Sequence, residues 1–246
     1  MSLESVATFV RFKQQVLQGK VVHCAAGEVF PYLFASPELD LVVEEAREHP
    51  KTRIARGTRG DRLEQTLEEA ETGFKALPLR EAVRAPVHLS LFELGPLREE
   101  GGALAEVIAQ VYLPLVALWG ERGLSWQKVY PILFLSGPGC STNYHWDPSS
   151  VLIVQLYGRK RFHSLKDPLR WCPDAVADQG QPAMVRPEGL TDEDILTCEL
   201  GPGDAVWSPC RAPHWVDAYD ETAFTLSIAF TDIAPEPNPQ VEMLVL

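Results

Sequence analysis

Three residues in the second half of the chain have the types and the spacing of a metal site. His145 and Asp147 flank Trp146, and residues i and i+2 of an extended segment point to the same face. His214 lies further along, in the segment GDAVWSPCRAPHW. Two imidazoles and one carboxylate on one side of a metal leave the other coordination positions open, as in non-heme Fe(II) oxygenases. The same ligand types also suit a hydrolytic zinc ion.

The segment around His214 has the spacing of the second cupin motif, Gly-x5-Pro-x4-His. Gly203, Pro209 and His214 occupy the three defining positions. In this motif Gly and Pro bracket a strand whose end leads into the turn that carries the ligand. The match is incomplete, because Arg211 stands where cupins usually have Gly and Ala218 where they often have Asn.

The remaining histidines are interpreted as structural or surface groups. His23, His49 and His88 lie in or beside predicted strands and helices, with no second ligand at metal-site spacing. His163 is the replacement ligand if His214 does not reach the other two residues.

The elements around these residues predict a mainly β fold with flanking helices, of the α+β class. Short β-rich runs separated by Gly, Pro and Asp begin at Val129 and indicate a sandwich or barrel. Upstream, the pattern predicts helices at 3–18, 37–48 and 61–73, a strand at 87–94, and a buried helix at 103–119 that Pro114 should kink. We divide the chain into an N-terminal helical and strand segment packing on the core (1–83), a catalytic core (84–233) and a Pro-rich tail (234–246). Whether the tail mediates association is left open.

The composition of the chain excludes some classes of binding partner. The 246 residues carry a net charge of −12, which repels phosphate backbones and argues against nucleic acid. The N-terminus lacks a secretory pattern and no apolar run approaches a membrane span, so we expect a cytoplasmic protein, or a nuclear one in a eukaryote, without a membrane partner. The five cysteines lack the spacing of a disulfide framework or zinc cluster and are expected to be reduced.

One basic stretch interrupts this acidic chain, from Lys51 to Arg62 in KTRIARGTRGDR. Two interpretations stay open for it. It is either a solvated strand and turn, or a patch that faces anions and orients an acidic substrate.

The region from Leu133 to Phe230 resembles the catalytic core of the JmjC (jumonji) family of Fe(II)- and 2-oxoglutarate-dependent oxygenases, in particular its cupin-like hydroxylase branch. The shared frame is a loop, His-x-Asp, an apolar strand ending in Gly and basic residues, then Pro-Gly-Asp and a distal His. The resemblance implies a double-stranded β-helix (jelly-roll or cupin) core of the JmjC type.

The resemblance also implies roles for five residues. His145, Asp147 and His214 match the family's metal ligands. Lys160 matches the residue that pairs with the distal carboxylate of 2-oxoglutarate, and Thr142 a hydroxyl that bonds the same carboxylate. A lysine–carboxylate bond inside a barrel is a physically reasonable anchor. The implied cofactors are Fe(II), 2-oxoglutarate as cosubstrate and O2, with ascorbate supporting activity.

The implied function is hydroxylation of a protein, peptide or amino-acid side chain, with succinate and CO2 as co-products. Three alternatives stay open: a non-oxidative metal-binding cupin, a hydroxylase of a modified tRNA base, and a catalytically silent interaction module. Lys160 distinguishes the oxygenase from the non-oxidative cupin, because a barrel that does not bind 2-oxoglutarate needs no buried cation at this position. The sequence leaves open whether the protein is a homodimer.

Overall fold

Two antiparallel sheets form the framework of the protein, seen in a computed structural model that describes residues 3–28, 38–56, 67–92, 94, 101–173, 178 and 186–235. The ten strands are β1 (Val22–Cys24), β2 (Thr52–Arg56), β3 (Val87–Leu91), β4 (Lys128–Ser136), β5 (Ser150–Tyr157), β6 (Lys160–Leu165), β7 (Ile195–Leu200), β8 (Ala205–Ser208), β9 (His214–Ala218) and β10 (Ala223–Thr231). Seven strands form one sheet in the order β1-β8-β5-β10-β4-β3-β2, and three form the other in the order β7-β6-β9.

The helices lie mostly before the strand-rich half of the chain. They are α1 (Leu3–Leu17), α2 (Leu39–Glu48), α3 (Leu67–Lys75), α4 (Leu79–Ala82), α5 (Ala103–Val107), α6 (Leu113–Glu121) and α7 (Pro168–Trp171). The predicted mainly β fold with flanking helices is confirmed, although the short helices α4 and α7 were not predicted.

The two faces of the large sheet have different partners. Because side chains alternate along a strand, Leu133, Leu226 and Ile228 point to the face that packs against the helices around Trp119. The opposite face meets the small sheet: Val151 and Ile153 pack against residues of the small sheet, Phe162, Cys198 and Leu200. The space between the two sheets is therefore the interior of the jelly roll.

The helix that covers the large sheet is irregular beside Pro114, where the sequence predicts a kink. A π-helical segment, Ile108–Tyr112, joins α5 to α6, and Pro114 follows within the first turn of α6. Proline has no N–H to donate to the preceding turn, so a local widening of the helix there has a direct cause.

The same helix corrects one expectation. Ala103–Glu121 is 19 residues long and meets the length and composition criteria for a membrane span, which we did not expect from the sequence. Its side chains Leu104, Leu115 and Trp119 are completely buried within the protein, where an apolar helix covers the sheet.

The N-terminal residues extend the large sheet at both edges. Strand β1 pairs with β8, and β2 pairs with β3. Helix α1 packs on the helical layer through Phe12, whose ring lies 5.3 Å from that of Trp119.

Several predicted boundaries shift or lie outside the described residues. The strand predicted at 87–94 ends at Leu91, and the helix predicted at 61–73 is seen as Leu67–Lys75, residues 61–66 being outside the described ranges. In the basic stretch, β2 provides the strand, whereas Arg59 and Arg62 lie outside the described residues. Residues 236–246 of the tail also lie outside them.

Candidate metal centre

The two histidines of the predicted site are joined through their backbones. The N–H of His145 donates to the carbonyl of His214 at 3.0 Å, and the N–H of His214 donates to the carbonyl of His145 at 2.7 Å. This reciprocal pair is a two-residue antiparallel bridge between the loop before β5 and the first residue of β9. Directly opposed residues project to the same side of such a bridge, and the two imidazole rings lie 4.3 Å apart.

The hydrogen bonds of the imidazoles orient them as metal ligands. Nδ1 of His145 lies 2.7 Å from the carbonyl of Asn143, and Nδ1 of His214 lies 2.9 Å from the carbonyl of Ala212. A carbonyl only accepts, so both Nδ1 atoms carry the proton and both Nε2 atoms keep their lone pairs. This arrangement is common for metal-bound histidines.

Asp147 completes a three-ligand cluster. One ligand atom each from His145, Asp147 and His214 lies within 4.8 Å of the others. The shortest approach of the carboxylate to His214 is 3.6 Å, from Oδ2 to Nε2. Two neutral nitrogens and one carboxylate oxygen fit a divalent ion that keeps open positions, either Fe(II) or catalytic zinc.

Burial keeps His214 in the form that binds metal. Desolvation lowers its pKa to about 4, helped by the neighbouring His145, while the charge of Asp147 opposes the shift. A neutral imidazole has a lone pair to donate, so this ligand does not have to lose a proton at neutral pH.

Lys160 lies inside the jelly roll and is almost fully buried, with 3% of its surface exposed. Burial lowers its pKa to about 7, and among the described residues no carboxylate offsets that effect. A buried ammonium group without a counter-charge is costly in free energy, and a bound anion would remove most of that cost.

Thr142 lies in the loop before His145 and is hydrogen-bonded to β9: its Oγ1 accepts the N–H of Val216 at 2.8 Å. The threonine hydroxyl proton remains able to donate elsewhere.

The replacement ligand, His163, is engaged outside the cluster. Its Nε2 lies 3.0 Å from Oδ2 of Asp217, and its Nδ1 lies 3.0 Å from Oγ1 of Thr197. Its ring stacks on Trp215 with centroids 4.8 Å apart. Trp146 and Trp215, each next to a candidate ligand in the sequence, are buried, and so is Trp207, which packs in the helix-facing core.

A polar wall of the large sheet faces the same interior. Its fully or nearly buried members are Ser136, Gln155, Thr225 and Ser227. Thr225 donates to Oε1 of Gln155 at 3.0 Å, and the Gln155 amide donates to the carbonyls of Tyr157 and Gly158. Buried polar side chains on an interior wall favour a polar ligand over an apolar one.

Sequence reasoning missed His88, which lies on this wall beside Ser136. Its Nδ1 is 3.0 Å from the Ser136 hydroxyl oxygen. The alternation of VHLSL placed His88 opposite Leu89 and Leu91, but only the pairing of β3 with β4 shows that its face borders the candidate site.

Part of the chain is similar to a known protein family. Residues 126–236 match the family profile described as the JmjC domain. This match covers a little under half of the chain. His145, Asp147, His214, Lys160 and Thr142 all lie within it.

Proteins that are similar to this chain are named as oxygenases. A probable ribosomal oxygenase of Haemophilus influenzae is 26% identical over 149 residues, covering 59% of this chain and 36% of that protein. Among solved structures, the Escherichia coli ribosomal oxygenase YcfD in complex with cobalt and succinic acid is similar, with a TM-score of 0.55 and 18% identity. Its complex with cobalt and 2-oxoglutarate has a TM-score of 0.53 and 18% identity. Both alignments cover 94% of this chain and 52% of YcfD.

These similarities define the fold, including the jelly-roll core. The present chain spans about half the length of the solved ribosomal oxygenases and about a third of the curated relative.

The matched region departs from the cupin pattern at Arg211, and the backbone shows the consequence. Arg211 has a φ of +63°, in the left-handed region that the glycine of the usual motif adopts without strain. Its N–H donates to the carbonyl of Asp147 at 2.9 Å, and its guanidinium pairs with Asp178 at 2.8 Å. The arginine thus connects the turn before His214 to the backbone of a second candidate ligand.

Proposed function

We propose that this protein is an Fe(II)- and 2-oxoglutarate-dependent oxygenase that hydroxylates a side chain of a protein substrate. The observation that carries the proposal is the combination of a three-ligand cluster and a buried cation without a described counter-charge on the same interior. A plain metal-binding cupin has no use for that cation, whereas a keto-diacid needs both features.

The donor set suits the cofactors. In this proposal Fe(II) is held by Nε2 of His145, Nε2 of His214 and the carboxylate of Asp147. Lys160 binds the distal carboxylate of 2-oxoglutarate, and the hydroxyl of Thr142 donates to it. With these groups bound, the metal and the cosubstrate supply the oxidising chemistry, consuming O2 and releasing succinate and CO2.

The protein's own contributions are positioning and the exclusion of water. The carbonyls of Asn143 and Ala212 fix the orientation of the two imidazoles. Apolar side chains of both sheets, among them Val151, Ile153 and Phe162, close part of the interior to solvent. A dry site strengthens the attraction between Lys160 and a carboxylate.

A ribosomal protein is the substrate class that we propose. The relatives named ribosomal oxygenases support it. Charge supports it as well, because a chain of net charge −12 attracts a strongly basic polypeptide. The proposed location is the cytoplasm.

Succinate formation tests the activity. We expect purified protein with Fe(II), ascorbate and 2-oxoglutarate to form succinate slowly alone and faster with ribosomal proteins, which should gain the mass of one oxygen atom. His145→Ala should reduce succinate formation at least about a hundredfold, since the cluster loses one of three ligands. His23→Ala, which changes an exposed histidine of β1, is the matched control.

The result also separates the alternatives. Metal binding without any metal-dependent binding of 2-oxoglutarate would overturn the proposal in favour of a non-oxidative cupin. Binding of both cofactors, with oxidation of tRNA instead of protein, would overturn the substrate class and leave the oxygenase activity standing.

A further inference from the structure

His88 lies on the interior face of the large sheet, the face that carries the polar wall. Leu89 and Leu91 on the same strand are buried in the helix-facing core, so alternation turns His88 to the opposite side. In the register of β3 with β4, His88 is directly opposite Ser136, which belongs to the polar wall.

Two contacts fix the orientation of the imidazole ring. Nδ1 lies 3.0 Å from Oγ of Ser136, and the ring stacks on Phe134 with centroids 5.5 Å apart and planes 21° apart. These contacts use one nitrogen and one face of the ring. They leave Nε2 as the atom of this side chain that can meet a ligand.

His88 is enclosed, although its side chain is not completely buried. Desolvation lowers its pKa to about 3, and electrostatic interactions with Lys160 and His145 lower the pKa further. The ring therefore interacts electrostatically with the buried lysine and with a candidate metal ligand. Its partial exposure leaves some of the ring surface accessible to a bound molecule.

The neutral ring can still serve an anion. When the Ser136 hydroxyl donates to Nδ1, the proton of the imidazole lies on Nε2, which then acts as a donor. A carboxylate held by Lys160 favours this tautomer. Ser136 thus sets the tautomer, and Nε2–H supplies a directed hydrogen bond beside the point charge of the lysine.

We propose that His88 is a specificity-determining residue that binds the distal carboxylate of the keto acid together with Lys160. This inference rests on the proposed function. It assigns to this chain a second anchor, which selects oxoacids that carry a second carboxylate over those that end in a methyl group.

Equilibrium binding tests the assignment without relying on turnover. The protein is loaded with Mn(II), and its affinities for 2-oxoglutarate and 2-oxobutyrate are measured by calorimetry or by competition. 2-Oxobutyrate keeps the metal-chelating end of the molecule and lacks the distal carboxylate. We expect His88→Ala to weaken the binding of 2-oxoglutarate about tenfold, which is the range for loss of one hydrogen bond to a charged group. Binding of 2-oxobutyrate should change less than about twofold.

Two further substitutions separate hydrogen bonding from packing. His88→Phe keeps a ring that can stack on Phe134 but removes the donor, so it should behave like His88→Ala. His88→Gln places an amide N–H near the position of Nε2 and should recover most of the preference for 2-oxoglutarate. Thermal unfolding of each variant identifies loss of folding, and His23→Ala serves as the control.

The outcomes distinguish failure of the proposed oxygenase function from failure of the proposed role of His88. If the wild type fails to bind 2-oxoglutarate with metal present, the proposed function is wrong. If the wild type binds it and His88→Phe keeps the full preference over 2-oxobutyrate, the role of His88 is wrong. Equal weakening of both oxoacids would indicate a structural role and would also overturn the inference.

Discussion

At the scale of single residues, the candidate site combines histidines that are neutral at pH 7 with one lysine whose pKa lies close to neutral pH. Burial lowers the pKa values of His214 and His88 well below the usual value for histidine. Burial also lowers the pKa of Lys160, to about 7. The lysine therefore changes charge near neutral pH. Occupation of the site by an anion and protonation of Lys160 are thermodynamically linked.

This linkage gives a prediction for Lys160→Met. The pKa of Lys160 is about 7 in the folded chain, against an ordinary lysine value of 10.5, so between these limits the unfolded chain holds more protons. The contribution of Lys160 to the free energy of unfolding then rises with pH across this window. Without ligand, we expect Lys160→Met to raise the unfolding temperature by about 3 °C or more below pH 7 and by progressively less toward pH 10.

Calorimetric unfolding at several pH values measures this difference. Lys128→Met, at an exposed lysine of β4, should show no such trend. A stabilisation of Lys160→Met that is constant from pH 6 to 10 would contradict the shifted pKa.

Residue types predicted much of this site, because His-x-Asp and the cupin spacing restrict the ligands within one chain. They did not predict His88. The alternation of VHLSL assigns His88 a face of the strand, but whether that face meets solvent or a second sheet depends on strands that lie distant in the sequence.

At the scale of elements, the long helix depends on a cap supplied from another helix. The two carboxylate oxygens of Glu45, in α2, accept the N–H groups of Ala103 and Leu104 at 2.7 and 2.9 Å. They satisfy two of the unpaired donors at the start of α5 and place a negative charge at the positive end of the helix. Gly102 has a φ of +100°, and a side chain there would collide with the Glu45 carboxylate.

We expect Glu45→Ala to lower the free energy of unfolding by about 1–2 kcal/mol, because it leaves both N–H groups without their acceptor. Denaturant titration measures the change. Glu48→Ala, at an exposed position of the same helix, should cost less than about 0.5 kcal/mol. Equal effects of the two substitutions would show that the cap does not contribute to stability.

Sequence reasoning found this helix and its proline but not its cap. Pro114 predicts a kink from local chemistry alone, and the π-helical segment appears next to it. Glu45 is 58 positions from Ala103, and nothing in the local pattern relates them.

At the scale of the whole molecule, the pairing of distant strands could not be read from the sequence. Strand composition predicted that the second half of the chain is β-rich, because that property is local. The register of β1 with β8 joins residues near positions 23 and 206, and it depends on the complete arrangement of the sheet. Net charge, in contrast, is fixed by composition and acts over the whole surface.

The charge of −12 predicts a salt-dependent reaction with a basic protein substrate. Added salt screens the attraction, so we expect kcat/KM for ribosomal protein to fall about tenfold between roughly 50 and 300 mM NaCl. Succinate formation without a protein substrate, measured at the same salt concentrations, is the control. A substrate reaction as insensitive to salt as this control would argue against charge as a source of recognition.

The backbone bridge between His145 and His214 has a further consequence for how the protein acquires its ion. The distance between these two imidazoles is set by main-chain hydrogen bonds, which do not themselves need an ion. Removal by a chelator therefore leaves the ladder in place, and reloading requires no refolding of the chain. Such a site can exchange one divalent ion for another in the folded state, so the ion that it carries follows cellular supply and intrinsic affinity.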